Sequence, residues 1–285
     1  MQEKIIRLLK KHSEERYRPD DSPYTAIDLK HERAISRTTG TSLYEIEELA
    51  LAAGITPTRY SRNQLTLSIT DQQQLHLAHI AVIGLGGLGG GVTELLARIG
   101  IGNLILIDGD SFDESNLNRQ LLSSVANIGV AKATVAGSRV QDINPAIRAQ
   151  THIQFLTAAS GHKLLGEAII AIDCLDTIPD RFILEQICKK KNIPMISGAI
   201  AGKMGQLTVV FPQDKGLVNL YGSAENAPDK GVESSLGTLA FTAAHMAALQ
   251  CAEAVNLILK KESLLRNGFL FNDLSDYSSE HIKTS

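Results

Sequence analysis

The glycine-rich turn after the first strongly apolar run constrains the fold of this chain more than any other feature. Residues 79–83 read HIAVI, and the pattern Gly84-x-Gly86-x-x-Gly89 then opens a helix. The first glycine permits a tight turn, the second lets a phosphate approach the backbone, and the third lets the helix lie close to the strand. The free amides and positive dipole end of such a helix favour an anion. The stretch therefore predicts a strand, turn and helix that together hold a phosphate group.

Strand and helix patterns alternate from residue 79 onward. The predicted strands are 79–84, 103–108, 148–155, 168–174, 194–199 and 205–211. The predicted helices between them fall near 88–100, 129–143 and 178–191. This alternation is typical of a mostly parallel sheet with helices on both faces. We therefore predict an α/β fold with a doubly wound, Rossmann-like, mostly parallel sheet and antiparallel edge strands, including a late edge strand at 269–274 (FLFNDL).

The first part of the chain has a different pattern. Residues 2–16 can form a charged amphipathic helix, and Ser42 and Glu45 make a capping box at the start of a second helix, which Gly54 stops. We predict that residues 1–55 form a small N-terminal helical extension packed on the main domain. An independent binding module is the alternative.

The rest of the chain is interpreted as one domain at 56–275, followed by a polar tail at 276–285. Within the domain, residues 213–235 are rich in Gly, Asp, Asn and Ser and predict a long loop. An Ala-rich stretch, about 237–261, predicts a tightly packed helix.

Composition excludes several classes of function. The 285 residues carry a net charge of −3, so the chain is not basic enough for bulk nucleic-acid binding. Its N-terminus has only short apolar runs broken by Lys and Arg, so we expect neither a signal peptide nor a membrane span, and a cytoplasmic location. Three cysteines, Cys174, Cys188 and Cys251, form no CxxC pair, which favours buried, reduced thiols.

An acidic residue follows the glycine turn at the spacing of a ribose ligand. Asp108 ends the strand NLILID, nineteen residues after Gly89. A carboxylate there can accept hydrogen bonds from both ribose hydroxyls, which NAD and ATP share. These residues alone therefore predict an adenine nucleotide and leave its identity open.

Two cations point to a triphosphate. Arg119 lies in the run SNLNRQ (115–120), and Lys132 follows thirteen residues later at a predicted helix start. Hydride transfer needs no additional cations beside a pyrophosphate, whereas charge builds on the oxygens of a departing pyrophosphate and Arg and Lys donors stabilise it. The dipole mildly disfavours a lysine at a helix start, so a phosphate partner would explain the position of Lys132.

A carboxylate also follows the strand AIIAID. Asp176 falls at the edge of the sheet where open α/β folds bind ligands, and it can hold Mg²⁺ against phosphates. Two alternatives remain: Asp173, which falls inside the strand, could be the ligand, or Asp176 could simply cap the next helix.

In combination, these motifs resemble the ThiF/MoeB/HesA family, the bacterial relatives of ubiquitin-activating enzymes. The resemblance covers residues 59 to about 260. The matching stretches are RYSRNQ (59–64), HIAVIGLGGLG (79–89), GIGNLILIDGD (100–110), SNLNRQ (115–120), GVAK around Lys132, DINP (142–145), DCLDTIPDR (173–181) and PMISGAIAGKMGQLTVVFP (194–212).

This resemblance implies a function. The family uses Mg-ATP to adenylate the C-terminal carboxylate of a small ubiquitin-like or sulfur-carrier protein that ends in Gly-Gly. It implies that the 56–275 domain is a ThiF-type adenylation domain. By position, it implies nucleotide-binding roles for Gly84, Gly86, Gly87, Gly89, Asp108, Asp110, Asn116, Arg119 and Lys132.

The resemblance also implies catalytic roles for four residues. Arg119 and Lys132 would contact the triphosphate, and Asp176 matches the family's metal-binding and catalytic aspartate. Arg62, the second arginine of RYSRN, matches one that reaches into the neighbouring subunit's ATP site, which implies a homodimer.

The sequence departs from the family pattern at three places. It lacks the two CxxC pairs that bind structural zinc, so we expect no zinc. Residues 213–235 lack the cysteine that takes the activated acyl group in many relatives, so we expect a free or directly transferred acyl-adenylate. Thr177 stands where the family usually has Asn, which puts one contact to nucleotide or metal in doubt.

Two other classes of function stay open at this stage. An NAD(P)-binding oxidoreductase would use the glycines and Asp108 but leave Arg119, Lys132 and Asp176 without a role. A non-catalytic scaffold that kept the fold would be compatible with the missing cysteines and Thr177.

Overall fold

The computed structural model describes residues 1–228 and 231–284, which form two sheets and the helices around them. The helices are α1 (Gln2–His12), α2 (Leu29–Thr39), α3 (Leu43–Ala52), α4 (Ile69–Leu77), α5 (Gly87–Ile99), α6 (Lys132–Ile143), α7 (Gly161–Leu164), α8 (Ile178–Lys191), α9 (Val218–Tyr221), α10 (Glu233–Leu236) and α11 (Ala240–Ile258). The strands are β1 (Glu14–Tyr17), β2 (Pro23–Ile27), β3 (Ile55–Pro57), β4 (His79–Ile83), β5 (Asn103–Ile107), β6 (Arg148–His152), β7 (Ile170–Asp173), β8 (Met195–Ala201), β9 (Met204–Val210), β10 (Gly268–Asp273) and β11 (Ser278–Lys283).

The large sheet has eight strands in the order β11-β10-β9-β8-β7-β4-β5-β6. Neighbours from β6 to β8 pair in parallel, and β9, β10 and β11 extend the sheet with antiparallel pairs. The chain runs outward from β4 to β5 and β6 and then returns to the other side of β4. This order confirms the predicted doubly wound, Rossmann-like α/β fold with antiparallel strands at one edge.

Helices cover both faces of this sheet. Successive residues of β4 point to opposite sides, so Ile80 and Val82 join one buried apolar cluster, while Ala81 and Ile83 join another. The first cluster includes side chains of α5, α6 and α11, and the second includes side chains of α7 and α8. A strand buried on both faces needs an apolar run rather than alternation, which is the pattern of HIAVI.

The C-terminal part differs from the sequence prediction. Strand β10 is not an edge strand, because β11 pairs along its outer side. Residues 278–283 of the predicted polar tail form β11, a mostly exposed strand that pairs by main-chain hydrogen bonds and therefore lacks an apolar signal. Short helices α9 and α10 lie in the predicted loop 213–235, of which residues 229 and 230 lie outside the described residues.

The N-terminal part is not purely helical. Helix α1 ends at His12 instead of continuing to residue 16, and β1, β2 and β3 form a small mixed sheet beside α1, α2 and α3. The predicted capping box of Ser42 and Glu45 is confirmed at the start of α3. Strand β3 continues across the proposed division at residue 55.

A buried ion-pair cluster joins this N-terminal part to the turn that precedes α4. The guanidinium of Arg59 donates to Glu32 of α2 and to Glu47 of α3. Both carboxylates are almost fully buried, and Glu32 Oε1 has no hydrogen-bond partner among the described residues. One partly buried cation is thus shared by two buried carboxyl groups.

The same cluster continues into the large domain. The Tyr60 hydroxyl donates to Glu47 Oε1 at 2.6 Å and accepts from the Asn144 side chain at 2.7 Å. His76 Nδ1 lies 3.2 Å from Glu47 Oε1, and the His76 ring stacks on Tyr44 with centroids 4.4 Å apart. Glu47 therefore has Arg59, Tyr60 and His76 as polar neighbours, and the two parts of the chain meet through these polar groups as well as apolar contacts.

The two carboxyl groups differ in protonation. Burial and the neighbouring Glu47 raise the pKa of Glu32 to about 7, against the opposing effect of Arg59. Burial alone would also raise the pKa of Glu47, but His76, Arg59 and Tyr60 outweigh it and hold that pKa below its ordinary value. Glu47 is consequently the charged partner of Arg59, and Glu32 is the group that titrates.

No helix in the described parts of the chain is long and apolar enough to cross a membrane.

We predict that Glu32→Gln gains stability relative to the wild type as the pH rises. A carboxyl group with a raised pKa stabilises the fold fully below its unfolded value of 4.5, and this contribution is lost as the pH rises through about 7. Glutamine does not titrate. Urea unfolding of both proteins at pH 5 and pH 8 measures the difference.

The matched variant is Glu47→Gln, which should lower the free energy of unfolding by roughly 3–5 kcal/mol at pH 5, because the neutral Glu32 then leaves Arg59 without a charged partner. A stability difference between Glu32→Gln and wild type that does not change with pH would contradict this assignment.

Candidate nucleotide-binding site

A cavity of about 540 Å³ opens at the carboxyl-terminal edge of the parallel strands. Segments that follow β4, β5, β6 and β7 line it, next to the position where the strand order reverses between β4 and β7. Open α/β sheets bind their ligands at such a position. Eight of the eleven predicted site residues line this cavity: Gly84, Gly86, Gly87, Asp108, Asp110, Arg119, Lys132 and Asp176.

The glycine turn forms the floor of the cavity. Gly84 has a φ of +85°, and a Cβ there would lie 2.6 Å from the carbonyl oxygen of Cys174. Gly86 caps α5 without a side chain, so the first amides of that helix receive no side-chain acceptor. These amides and the helix dipole make the start of α5 suited to a phosphate.

Gly89 has a structural role in this turn. It does not line the cavity, and a Cβ at Gly89 would lie 1.7 Å from the carbonyl oxygen of Gly84. The absence of a side chain therefore lets α5 lie directly against the end of β4. Its assignment as a nucleotide-binding residue stays a prediction, since its effect on a ligand would come through the backbone.

Asp108 is held by the backbone on both sides. One carboxylate oxygen accepts from the amide of Leu85 at 2.7 Å, and the other accepts from the amide of Asp110 at 2.8 Å. Burial raises the pKa of Asp108, while these two amides act in the opposite direction. The two amide hydrogen bonds fix the orientation of the carboxylate, and each oxygen keeps a lone pair that could accept from a ribose hydroxyl.

Lys132 places a buried ammonium at the cavity wall. It is the first residue of α6, as predicted, and only 7% of it is exposed. Its Nζ lies 3.1 Å from Asp110, whose carboxylate is half exposed. A buried cation beside a single, partly solvated carboxylate can accept an anionic ligand at low cost in desolvation.

Arg119 adds a second cation. Its guanidinium donates to the carbonyl oxygen of Ser115 at 3.0 Å and to the side chain of Asn118 at 2.8 Å. Both acceptors are neutral, and Arg119 forms no ion pair with a carboxylate among the described residues. An anionic ligand would supply that counter-charge.

The two aspartates after β7 have different environments. Asp173 is fully buried, accepts from Arg181 at 2.9 Å and from the Ser197 hydroxyl at 2.6 Å, and so holds the sheet together beneath the cavity. Asp176 is exposed at the cavity mouth, and Thr177, not Asp176, caps α8 through its hydrogen bonds with Asp180. Asp173 is thus occupied by Arg181 and Ser197, and Asp176 does not cap α8; its role as a metal ligand stays a prediction.

Two other predicted residues lie away from the cavity. The side-chain oxygen of Asn116 accepts from the amide of Asp113 and so caps a single helical turn. Arg62 is exposed in the turn after Tyr60, whose hydroxyl belongs to the buried Glu47 cluster. The roles of Asn116 and Arg62 in nucleotide binding stay predictions.

Lining residues that were not predicted include Gln120, Arg181 and Phe155. Gln120 is 6% exposed, its Oε1 has no partner among the described residues, and its Nε2 lies 3.5 Å from where a Gly86 Cβ would be. Arg181 lies beneath the floor, and Phe155 lies on the wall after β6. Gln120 and Arg181 stand within motifs quoted above, whereas Phe155 has no motif to mark it.

A second cavity of about 640 Å³ adjoins the first. The two share Asp176, Arg181, Ala199 and Ile200. Residues of β8, β9, β10, α8 and α9, together with residues 228, 231 and 232, line the rest, most of them apolar. Asp176 therefore lies where the two cavities meet.

No group of three or more His, Cys, Asp and Glu side chains within residues 1–228 and 231–284 is arranged to hold a metal ion. A single carboxylate at Asp176 is compatible with Mg²⁺, which usually keeps several waters and takes one or two carboxylates plus substrate phosphates. Burial raises the pKa of Cys188 and Cys251 to about 12 and that of Cys174 well above its ordinary value, so none of these thiols is activated as a nucleophile.

Comparison with known proteins places this site in a family. The ThiF family profile matches residues 60–285. A SAMP-activating enzyme E1 from Haloferax volcanii is 29% identical over 229 residues, covering 79% of this chain and 84% of that protein. A sulfur carrier protein ThiS adenylyltransferase from Escherichia coli is 31% identical over 203 residues, covering 70% and 80%.

A solved structure also matches. E. coli MccB with ATP superposes with a TM-score of 0.65 at 25% identity, covering 80% of this chain and 72% of that one. The chain spans about half the length of MOCS3 sequences that it matches, 52% of the one from Anopheles gambiae. The chain belongs to the ThiF family, whose domain begins at the RYSRN turn and includes every residue of the cavity.

We predict that Gly89→Ala destabilises the protein by about 2 kcal/mol or more, because the added methyl group overlaps the Gly84 carbonyl and forces α5 away from β4. Thermal unfolding followed by circular dichroism measures the loss. The matched control is Gly87→Ala, whose methyl group would meet Ala243 at an ordinary 3.6 Å. Equal stability of the two variants would show that α5 does not need this close approach.

Proposed function

We propose that this protein uses Mg-ATP to adenylate the C-terminal carboxylate of a small ubiquitin-like or sulfur-carrier protein, or of a peptide, and releases pyrophosphate. One observation carries the proposal. A carboxylate for metal (Asp176), a phosphate-binding turn (Gly86), a ribose-binding carboxylate (Asp108) and two cations (Arg119 and Lys132) line the same cavity. Each part of Mg-ATP has a matching group along the edge of one sheet.

Adenylation does not require a covalent bond between the substrate and the protein. The attacking carboxylate is already a nucleophile, so the site must place it in line with the α-phosphorus and stabilise the departing pyrophosphate. Arg119 and Lys132 are positioned to neutralise that charge, and Arg62 of a second subunit would add a third cation. Bound at Asp176, Mg²⁺ would supply Lewis-acid neutralisation of phosphate oxygens. No general base is required.

The second cavity supports a protein or peptide as the acyl substrate. Its largely apolar lining includes Asp176, so a carrier C-terminus bound there would lie beside the proposed metal ligand. The names of the relatives agree with this substrate class: one activates SAMP and another adenylates ThiS. Buried, unactivated cysteines favour a product that stays an acyl-adenylate until transfer.

A homodimer completes this proposal. Arg62 lies outside the cavity of its own chain, so it would act only across an interface. Apolar side chains next to the site support such an interface: Leu121 is 62% exposed, Val125 79% and Ile128 42%. Packing against a second copy would cover these side chains.

The two other classes explain less of the site. A dinucleotide-binding oxidoreductase would have no use for Lys132 buried in the first turn of α6 or for Asp176 at the cavity mouth. A scaffold would not need Asp108, Arg119 and Lys132 to line one cavity with their polar atoms available. Both remain possible outcomes of the experiments below.

We predict that Arg119→Ala and Asp176→Ala each lower carrier-dependent ATP–pyrophosphate exchange at least 100-fold. Each variant removes charge stabilisation that is needed as pyrophosphate leaves, an effect of roughly 3 kcal/mol or more. Exchange of labelled pyrophosphate into ATP, in the presence of Gly-Gly carriers, is the measurement. Both side chains are at least partly exposed, so the variants should unfold at the wild-type temperature.

The matched control is Asp113→Ala, an exposed carboxylate near the site that does not line the cavity. It should retain exchange. Full activity in Arg119→Ala and Asp176→Ala, or no exchange by the folded wild type with any carrier offered, would favour the scaffold.

The role of Arg62 across the interface has its own test. We predict that Arg62→Ala and Asp176→Ala proteins are each inactive alone and that mixed subunits recover up to about a quarter of wild-type exchange. One site of a mixed dimer would contain both intact residues. Sedimentation must show that the subunits have mixed; mixed dimers without activity would rule out a role for Arg62 in trans.

A further inference from the structure

We propose that Phe155 is the platform on which the adenine base stacks and that it sets the preference of the site for a base-bearing triphosphate. The proposal rests on the function proposed above, since it assigns a residue to the base of the same nucleotide. No sequence motif contains Phe155, but it lines the cavity and lies against Gly109.

The order of the strands gives the direction of the nucleotide. Phosphate-binding groups follow β4, and Asp108, the ribose ligand, follows β5. The next strand outward is β6, which pairs with β5 in parallel so that Ile107 lies opposite His152. A nucleotide that runs from phosphate to ribose across β4 and β5 therefore places its base over the end of β6, where residues 154–156 line the cavity.

Phe155 has the exposure expected of a residue on which a flat ligand stacks. Its side chain is 66% exposed, although it lines a cavity beside the buried carboxylate of Asp108. Exposing an aromatic ring of this size is unfavourable, and a flat base would remove much of that ring from water. Its neighbour Leu156 is 8% exposed and belongs to the core, so the backbone on that side is anchored.

Gly109 holds the ring in place from one side. Three carbons of the Phe155 ring lie 2.7–2.8 Å from where a Gly109 Cβ would be, so the ring rests against the backbone of that glycine. Any other residue at 109 would displace it. Because Gly109 directly follows Asp108, the platform is fixed next to the ribose ligand while another side of the ring remains open to the cavity.

The turn after Phe155 is also ordered. The Thr157 amide donates to the Ser160 hydroxyl at 3.1 Å, and the Ser160 amide donates to the Thr157 hydroxyl at 3.1 Å. These reciprocal bonds and the burial of Leu156 limit the motion of the segment. A platform that is ordered before the ligand arrives loses less conformational entropy on binding.

The chain contains no tryptophan, so Phe155→Trp creates a protein with a single, diagnostic fluorophore. Stacking of adenine on the indole should quench its emission as ATP is added, with a midpoint that matches the dissociation constant from calorimetry. The matched control is Tyr277→Trp, an 87% exposed position in the turn between β10 and β11, at the opposite edge of the sheet. Its emission should not change.

A second variant tests the contribution to affinity. Phe155→Leu keeps apolar volume but removes the flat ring, and it should weaken ATP binding about 5-fold or more, the effect of losing one stacked base. Phe155→Tyr should retain wild-type affinity. Inorganic tripolyphosphate, which has no base, should bind wild type and Phe155→Leu equally.

The outcomes separate this proposal from the one on which it rests. If calorimetry shows ATP bound, then unchanged emission of Phe155→Trp or unchanged affinity of Phe155→Leu overturns the role of Phe155 and leaves the ATP site intact. Equal weakening of ATP and tripolyphosphate binding also overturns it, because the loss would then not concern the base. A wild-type protein that binds no ATP overturns both proposals.

Discussion

The close approach of helix α5 to the end of strand β4 is the contact on which the site depends. Gly89 lies so near the Gly84 carbonyl that a Cβ would stand 1.7 Å from it, and Gly84 has a backbone conformation that favours glycine. This approach aims the first amides of α5 into the cavity, and it brings the amide of Leu85 within 2.7 Å of Asp108. A helix displaced outward would move the start of α5 away from the cavity and separate the Leu85 amide from the Asp108 carboxylate.

The buried cluster around Arg59 holds the N-terminal part against the large domain. Tyr60 is the first residue of the ThiF family match, whereas Arg59, Glu32 and Glu47 lie before it. Breaking such a pair is costly because it leaves a charge buried without a partner. The cluster therefore holds the turn that carries Arg62 against α2 and α3, and it offers a physical reason for the presence of an N-terminal part beside the family domain.

The sequence predicts elements well where burial imposes a pattern. HIAVI and NLILI are apolar throughout because both faces of β4 and β5 are covered, and eight predicted residues meet in one cavity because parallel strands end at one edge. The small sheet of β1, β2 and β3 and the outer strand β11 were not predicted, because their short or mostly exposed strands pair through the main chain and show no clear alternation. Phe155 and Gln120 were not predicted because the features that single them out are spatial contacts. Phe155 lies against Gly109 and Gln120 lies near Gly86, and no local sequence pattern indicates such neighbours.

The fate of the α-phosphate tests the central claim, that the attack occurs at the α-phosphorus. The protein would be incubated with Mg²⁺, a Gly-Gly carrier and ATP labelled in either the α- or the γ-phosphate, and acid-precipitated carrier would be counted. Adenylation predicts that the α-label appears on the carrier C-terminus in a bond that hydroxylamine cleaves, while the γ-label leaves as pyrophosphate. Transfer of the γ-label to the carrier, with none of the α-label, would contradict adenylation and show phosphoryl transfer instead.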